Sequence, residues 1–508
     1  MDLTAPDPAP DPGSRAQPLT PHRLVPRRAR HTAAGPTAAG PTAAGSTGTG
    51  PAVVPYDLVG VGIGPFNLSL AALADGVPGL RSLFLEARPE FRWHPGLLLD
   101  GARMQVPFLA DLVSLVDPTS RWSFLAYLRA HDRLFPFYFA EQTHLSRREY
   151  EHYCRWASLH LPNCRFGSAV RAVGWDEREQ LFRVGLPDGS TVPARNLVLG
   201  VGTEPVVPPA LASLHRAGLV RHAEDYLSFR HSMDGAADIT VLGSGQSGAE
   251  VYLDLLRRRG DRPAPHLRWL TRSRAIAPME YSKLGLEHFT PDYTRYFHAL
   301  PPDVRDRLLP EQWQLYKAAS TETLAAIHES LYDRTTGGAP ADADILPDTE
   351  VTAARPGPDG GLVLDCHHRQ TGTAHTLRTD ALIMATGYAA RRPALLDPLS
   401  ALVDWDEQGR FRVDLNHRVG LHPRVTAGLY VQNAELHTHG VGTPDLGLGA
   451  HRAATILNAV AGRPVHRLPA RTAWTTFGVP APDTAPDPAP YPVPHPAAAA
   501  PPLLPTPG

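Results

Sequence analysis

Short apolar runs that end in glycine and pass into helical patterns punctuate the chain. Asp57 to Val61 is a brief, mostly apolar segment, and its pattern predicts a buried parallel strand. It runs into Gly62-Ile-Gly64-Pro65-Phe66-Asn67, and the apolar-rich stretch from about Pro65 predicts a helix. Leu83 to Leu85 predicts the next strand, ending at Glu86. The arrangement recurs at Asp238 to Leu242, which leads into Gly243-Ser-Gly245-Gln246-Ser247-Gly248 and a helix to about Arg259. The strand expected after that is His266 to Leu270, and a later apolar strand, Ala381 to Met384, closes on Ala385-Thr386-Gly387-Tyr388.

A strand–glycine turn–helix unit is built to hold a dinucleotide. In the first turn Gly62 permits the tight bend, and Gly64 lets backbone approach a pyrophosphate that rests on the helix N-terminus. Asn67 stands where a third glycine is usual, which predicts slightly wider helix–strand packing. Glu86, at the end of the second strand, is placed to accept hydrogen bonds from an unphosphorylated ribose. The second turn has all three glycines, but its following strand ends in Thr271-Arg272-Ser273-Arg274 with no acid. Arg272 suits a 2′-phosphate, so NADPH is expected there over NADH. Two such turns, about 180 residues apart, imply one resident dinucleotide and one that delivers hydride, the logic of a flavin reductase or monooxygenase.

The expected fold class is α/β: two Rossmann-like domains, one for FAD and one for NADPH, with a smaller substrate-binding region. The strand closing on Thr386-Gly387-Tyr388 is read as the return of the chain to the FAD domain, so the NADPH domain is an insertion. The expected boundaries are a disordered tail over 1–52, the FAD domain over 53–205, and the NADPH domain with substrate-region helices over 206–335. The FAD-domain return with further substrate region follows over 336–465, and a second disordered tail covers 479–508. Both tails are rich in Pro and Ala and lack the apolar periodicity that offsets ordering entropy. A basic cluster from Arg23 to Arg30 is expected to be a solvated segment.

Composition narrows the function. Lysine and arginine total 49 against 51 acidic residues, which argues against a nucleic-acid or anionic-membrane partner. Three cysteines, Cys154, Cys164 and Cys366, form no CxxC pair, so a disulfide-reductase chemistry is disfavoured and a reducing cytoplasm is expected. No apolar run approaches the roughly 18 residues a bilayer span needs, and the N-terminus lacks the basic-then-apolar order of a secretory signal. His437 and His439 lie beside Glu435, but no wider ligand cluster accompanies them, and no metal is expected. A homo-oligomer, dimer or tetramer, is expected.

The stretch from Asp57 to about Gly462 resembles the flavin-dependent N-hydroxylating monooxygenases of siderophore biosynthesis, which act on lysine, ornithine or diamines. The segments that carry the likeness are GVGIGPFNLSLAAL, FRWHPGLLL, MQVPFLADLVSLVDPTSRWSFLAYL, REYEHYCRWA, GSGQSGAE, ATGY and HTHGVGTPDLGLG. The resemblance implies that NADPH reduces FAD, that O2 adds to give a C4a-hydroperoxyflavin, and that a neutral primary amine takes its distal oxygen. It places Trp93, His94, Met104 and Gln105 near the isoalloxazine, with Gln105 as the polar contact. It makes the loop around His437 and His439 cofactor-facing.

Substrate choice turns on one position. Amino-acid-specific relatives read FLKDLV, with the lysine on the substrate carboxylate. Here the segment is Phe108-Leu109-Ala110-Asp111-Leu112-Val113, and Ala110 offers no charge. A second carboxylate contact, an asparagine in ornithine enzymes, is replaced by Leu286. Ala110 and Leu286, with Leu446 as a further pocket residue, suit cadaverine or putrescine, because a buried carboxylate without its cation costs several kcal/mol. The alternative is an L-lysine or L-ornithine monooxygenase in which Lys283 supplies the missing cation. A Baeyer–Villiger or sulfur-oxidising enzyme is disfavoured, since its FxGxxxHxxx[WY] signature is missing between the two turns. A non-catalytic flavin sensor is disfavoured by the intact turns.

Overall fold

The computed structural model describes residues 54–258, 266–358 and 360–479. Apart from Val479, the two expected tails and the basic cluster lie outside the described residues. Leu58–Val61 forms a strand buried at every position, as its unbroken apolar run requires. It is the middle strand of a five-stranded parallel sheet, in the order Gly428–Val431, Asn196–Leu199, Leu58–Val61, Ser82–Leu85, Cys164–Arg165. The helix Pro65–Asp75 is buried along most of its length, so it is apolar on nearly every side. It packs against the helices Arg147–His160 and Gly449–Ala461 on one face of the sheet. The other face is covered by an antiparallel sheet of Ala172–Asp176, Leu181–Gly185 and Thr191–Ala194.

A second five-stranded parallel sheet has the order Ala343–Leu346, His266–Leu270, Asp238–Leu242, Ala381–Met384, Arg221–His222. This corrects the expected boundary at 335. Ala381–Met384 pairs in parallel with Asp238–Leu242, so it belongs to the second sheet, not the first. The antiparallel sheet of Thr349–Pro356, Leu362–His368 and Thr373–Thr379 precedes it. Return to the first sheet comes only with Gly428–Val431. The crossing is marked by a two-stranded ribbon, where outgoing Glu204–Pro205 pairs with incoming Tyr388–Ala389. An apolar strand fits any buried parallel slot, so the pattern alone gave no sheet assignment. Between the strands of the second sheet, residues 285–334 form helices, and Pro291–Ala299 buries Tyr293 and Phe297 against Val441.

Asn67 is bonded into the first turn. Its amide nitrogen donates to the carbonyls of Val61 at 3.1 Å and Gly62 at 2.8 Å, and its oxygen accepts from Gln432 Nε2 at 2.6 Å. Room is made from the opposite side: a Cβ on Gly200 would stand 2.5 Å from the Asn67 side chain. Asn67 is held by three hydrogen bonds and has no freedom to retreat. Gly200→Ala is therefore expected to destabilise the protein by about 1–3 kcal/mol through overpacking, read from urea unfolding. An unchanged midpoint would show that Asn67 yields.

Candidate active site

Both glycine turns open onto one cavity of ≈ 3190 Å³. Sites for one drug-sized ligand run to about 300–1,000 Å³, so this volume has room for two dinucleotides and a small substrate. At the first turn Gly62 has φ +86°. Gly64 caps the helix without a side-chain hydrogen bond, leaving the first-turn N–H groups free. A Cβ on Gly64 would meet no protein atom within 4 Å, so the space beside the bare backbone is open. This is the cradle that a pyrophosphate fits. Pro65 and Phe66 also line it, whereas Asn67 lies beneath it. Glu86 faces the same space, with its carboxylate accepting from Ile63 N at 2.8 Å and Arg88 N at 2.9 Å.

Beyond Glu86 the wall turns aromatic. Trp93 and His94 meet edge-on at 5.0 Å, and His94 meets Tyr388 at 6.0 Å. His94 is held at φ +43°, and burial, with Arg147 and Arg88 nearby, lowers its pKa to about 4. Met104 is buried in the core and Gln105 lines the cavity with a buried Nε2 that has no protein partner. An orphaned amide donor of this kind calls for a bound acceptor. The Tyr388 hydroxyl and His222 Nε2 are likewise buried without partners. Thr386 Oγ1 donates to the Val206 carbonyl at 2.5 Å, and the Gly387 carbonyl accepts from Val206 N at 2.9 Å, so both fasten the ribbon between the halves.

At the second turn Gly243, Gly245, Gln246 and Ser247 line the cavity. Gly248 does not; it sits behind, where a Cβ would stand 2.2 Å from the Gly243 carbonyl. The Gln246 amide is engaged with protein, donating to Glu250 Oε1 at 2.7 Å and accepting from Ser320 N at 2.7 Å. Glu250 in turn pairs with Arg147 at 2.7 Å, which ties the two halves together. Arg272 lies past the strand end on the cavity wall, beside the Ser244–Ser273 hydroxyl pair at 2.9 Å.

The far end holds the predicted substrate residues. The Asp111 carboxylate accepts from the backbone of Val113, Ser114 and Phe124 at 2.6–2.9 Å, and this knot fixes Ala110 in the wall. Lys283, Leu286 and Leu446 line the same cavity. Asp445 joins them, with Oδ1 accepting from Gly447 N at 2.6 Å, and burial raises its pKa to about 6. A Cβ on Gly447 would stand 2.7 Å from Asp445 Oδ1 and 3.9 Å from the Ala110 Cβ, which places the acid beside Ala110.

The L-lysine 6-monooxygenase/L-ornithine 5-monooxygenase family matches residues 54–390. A rhizobactin siderophore biosynthesis protein of Rhizobium meliloti is 41% identical over 439 residues, covering 85% of this chain and 96% of that protein. A putrescine N-hydroxylase of Shewanella oneidensis is 38% identical, covering 83% of this chain and 84% of the relative. The chain belongs to this family. Among solved structures, the FAD-bound cadaverine monooxygenase of desferrioxamine biosynthesis from Erwinia amylovora matches with a TM-score of 0.81 and 38% identity, covering 85% of this chain and 100% of that one. The protein is thus a flavin-dependent N-hydroxylating monooxygenase with two dinucleotide-binding units.

The sequence did not single out the charged group that anchors the monooxygenase's C-terminal loop. Glu435 and Arg452 are buried, and His417 Nδ1 and Arg452 Nη1 stand 3.2 and 3.3 Å from Glu435 Oε1 without hydrogen-bond alignment. Burial would raise the Glu435 pKa, but Arg452 and His417 outweigh it and hold the carboxyl below its usual range. Arg452 Nη2 donates to the Thr443 carbonyl at 2.5 Å, and its guanidinium lies 4.6 Å over the Phe66 ring. The loop beside Asp445 is thereby fastened to the first glycine turn. His437 Nε2 is within 2.8 Å of the Phe411 carbonyl, and His439 Nδ1 within 2.8 Å of Thr438 Oγ1. His437 lines the cavity and His439 is buried behind it.

His94, His222 and His451 each have a pKa lowered to about 4, with burial the largest cause. The unfolded chain protonates these rings near pH 6.5, whereas the fold keeps them neutral. Their contribution to stability is therefore present above pH 6.5 and lost as pH falls toward 4. His94→Asn keeps a residue that tolerates positive φ and removes one titration. In urea unfolding across pH 4–7, the variant is expected to lose less stability on acidification than the wild type. Parallel curves would refute the buried neutral assignment.

Proposed function

We propose that this enzyme hydroxylates one primary amine of an aliphatic diamine, cadaverine or putrescine, with FAD, NADPH and O2, in hydroxamate siderophore biosynthesis. The observation that carries the substrate is the pairing of Ala110 with Asp445. An amino-acid substrate brings a carboxylate to this end and needs a cation. A diamine brings a second ammonium and needs an acid. Asp445 supplies an acid, and Ala110 adds no cation to that wall. Leu286 and Leu446 give the methylene chain an apolar wall. Lys283 lines the same cavity and is the feature that favours the alternative, L-lysine or L-ornithine.

Bound FAD supplies oxygen activation, and NADPH supplies the electrons. The balance is amine, O2, NADPH and a proton in, and hydroxylamine, water and NADP⁺ out. The chain's residues position and shield. Gly62, Gly64, Pro65 and Phe66 hold one pyrophosphate and Glu86 its ribose, while Asn67 braces that turn. Trp93, His94, Met104, Gln105 and Tyr388 enclose the flavin ring, and Thr386 and Gly387 hold Tyr388 in place. Gly243, Gly245 and Ser247 take the second pyrophosphate, Gly248 gives the helix its close packing, and Gln246 braces the turn. Arg272 meets the 2′-phosphate. Neutral His94 adds no proton near the reacting amine, whose lone pair the reaction requires. Enclosure excludes water, which strengthens each of these contacts.

No helix among the described residues is long and apolar enough to cross a membrane. A cytoplasmic site fits the NADPH requirement. Self-association as a dimer or tetramer is supported by Leu134–Ala140, a helix with no buried residue that exposes Phe135, Tyr138 and Phe139 by 71–76%.

Hydroxylamine formation with cadaverine or putrescine is expected to exceed that with lysine or ornithine by at least about tenfold in kcat/KM, because an unpaired buried carboxylate costs more than about 1.4 kcal/mol. Ala110→Lys is expected to lower diamine turnover by placing a cation near a cationic substrate. Better turnover of either amino acid by the wild type would overturn the diamine reading in favour of Lys283. For the cofactor, Gly64→Ala fills the open cradle, and the purified variant is expected to carry little FAD. Full flavin occupancy would contradict the placement of the first pyrophosphate.

A further inference from the structure

We infer that Lys317 is the second cation of the NADPH site, holding the 2′-phosphate together with Arg272. The inference rests on the NADPH reading above. Lys317 follows the short helix Trp313–Tyr316, in the helical segment and outside the second sheet. Its backbone nevertheless reaches the second glycine turn: the Lys317 carbonyl is 3.0 Å from where a Cβ would stand on Gly245. Its position is fixed by a hydrogen bond from its own N–H to the Trp313 carbonyl at 2.8 Å. Its Nζ lies 5.0 Å from the Tyr316 ring centroid, so the side chain is braced on an aromatic face.

Lys317 and Arg272 line the same cavity, and among the described residues no carboxylate forms an ion pair with either. They feel each other: burial first, and then the Arg272 charge, lower the Lys317 pKa. Two cations facing one cavity without a paired carboxylate repel, and a fold gains from the arrangement when an anion enters between them. A phosphate monoester near neutral pH carries roughly −1.5 to −2 charges and three acceptor oxygens, which match two cations. The Ser244 and Ser273 hydroxyls, 2.9 Å apart beside Arg272, add donors on the same wall.

Geometry favours the 2′-phosphate over the pyrophosphate. The pyrophosphate rests on backbone N–H groups at the helix start, which need no side-chain cation. Arg272 stands past the end of the next strand, where the adenosine ribose is met in such folds. Lys317 reaches the same cavity from the helical segment, past Gly245. Two cations there make the site costly for an unphosphorylated ribose, whose neutral hydroxyl answers neither charge.

The test uses FAD-loaded enzyme and two probes, adenosine 2′,5′-bisphosphate and adenosine 5′-diphosphate, with dissociation constants from titration calorimetry at fixed ionic strength. Lys317→Met is expected to weaken the bisphosphate by about tenfold or more, as loss of a charge-assisted contact implies, and to leave the diphosphate within about twofold. Lys317→Arg is expected to restore most of the bisphosphate affinity. Lys317→Gln serves if the methionine variant loses FAD or folds poorly. Unchanged bisphosphate binding in the variants overturns the inference, and so does equal weakening of both probes, which moves Lys317 to the pyrophosphate. Failure of the NADPH reading itself looks different: wild-type enzyme would then show no preference between NADP⁺ and NAD⁺.

Discussion

The architecture depends on two points where a glycine passes a backbone carbonyl too closely for any side chain. A Cβ on Gly62 would stand 2.5 Å from the Gly200 carbonyl, and a Cβ on Gly243 would stand 2.2 Å from the Ala385 carbonyl. Both glycines have positive φ, at 86° and 124°, a region that L residues rarely adopt. At each point the chain leaves a central strand, brushes the end of the neighbouring strand and starts a helix. The close pass puts the helix N-terminus at the edge of its sheet with its N–H groups free. Without it the helix would start farther out, and the anion-binding edge would be lost. The cavity exists because two such edges face one another.

The substrate end is coupled to the same constraint through Arg452. That residue is buried, stacks over Phe66 in the first turn and grips the Thr443 carbonyl in the loop that carries Asp445. Burying a guanidinium and the Glu435 carboxylate costs several kcal/mol per ion, and the pair repays this only with added hydrogen bonds. Its evident return is positional. One rigid group sets the distance between the first glycine turn and the loop that carries Asp445. Removing either charge would leave the other buried and unpaired, so loop and turn are expected to loosen together.

Much of this was legible in the sequence. The strand limits at Asp238–Leu242 and His266–Leu270 followed from apolar runs bounded by glycine and charge, and both turns came from glycine spacing in that context. The sheet that takes Ala381–Met384 was not legible, because an apolar four-residue strand carries no mark of its partner. The role of Asn67 was also hidden: its size was visible, but the space that Gly200 makes for it comes from a residue 133 positions away. Lys317 and Asp445 escaped for a related reason. Lys317 sits in a segment without a motif and Asp445 within HTHGVGTPDLGLG beside Leu446, yet each gains meaning only from what the fold brings near it, Gly245 with Arg272 for one and Ala110 for the other.

Those two residues also bear on what the cavity accepts. The chain is near neutral, with formal net charge −2, so overall charge does not steer a ligand. Within the cavity the local charges matter more: Arg272 and Lys317 line it at the second turn, and Asp445 lines it on the loop that passes Ala110. In the proposed enzyme the cofactor that enters is polyanionic and the substrate is dicationic, so the Arg272–Lys317 wall suits the one and Asp445 suits the other. Low-dielectric walls strengthen such local attractions. An amino acid brings a carboxylate as well, and at Ala110 that carboxylate finds no cation. On this account, discrimination against amino acids comes less from the size of the pocket than from which sign of charge is missing at Ala110.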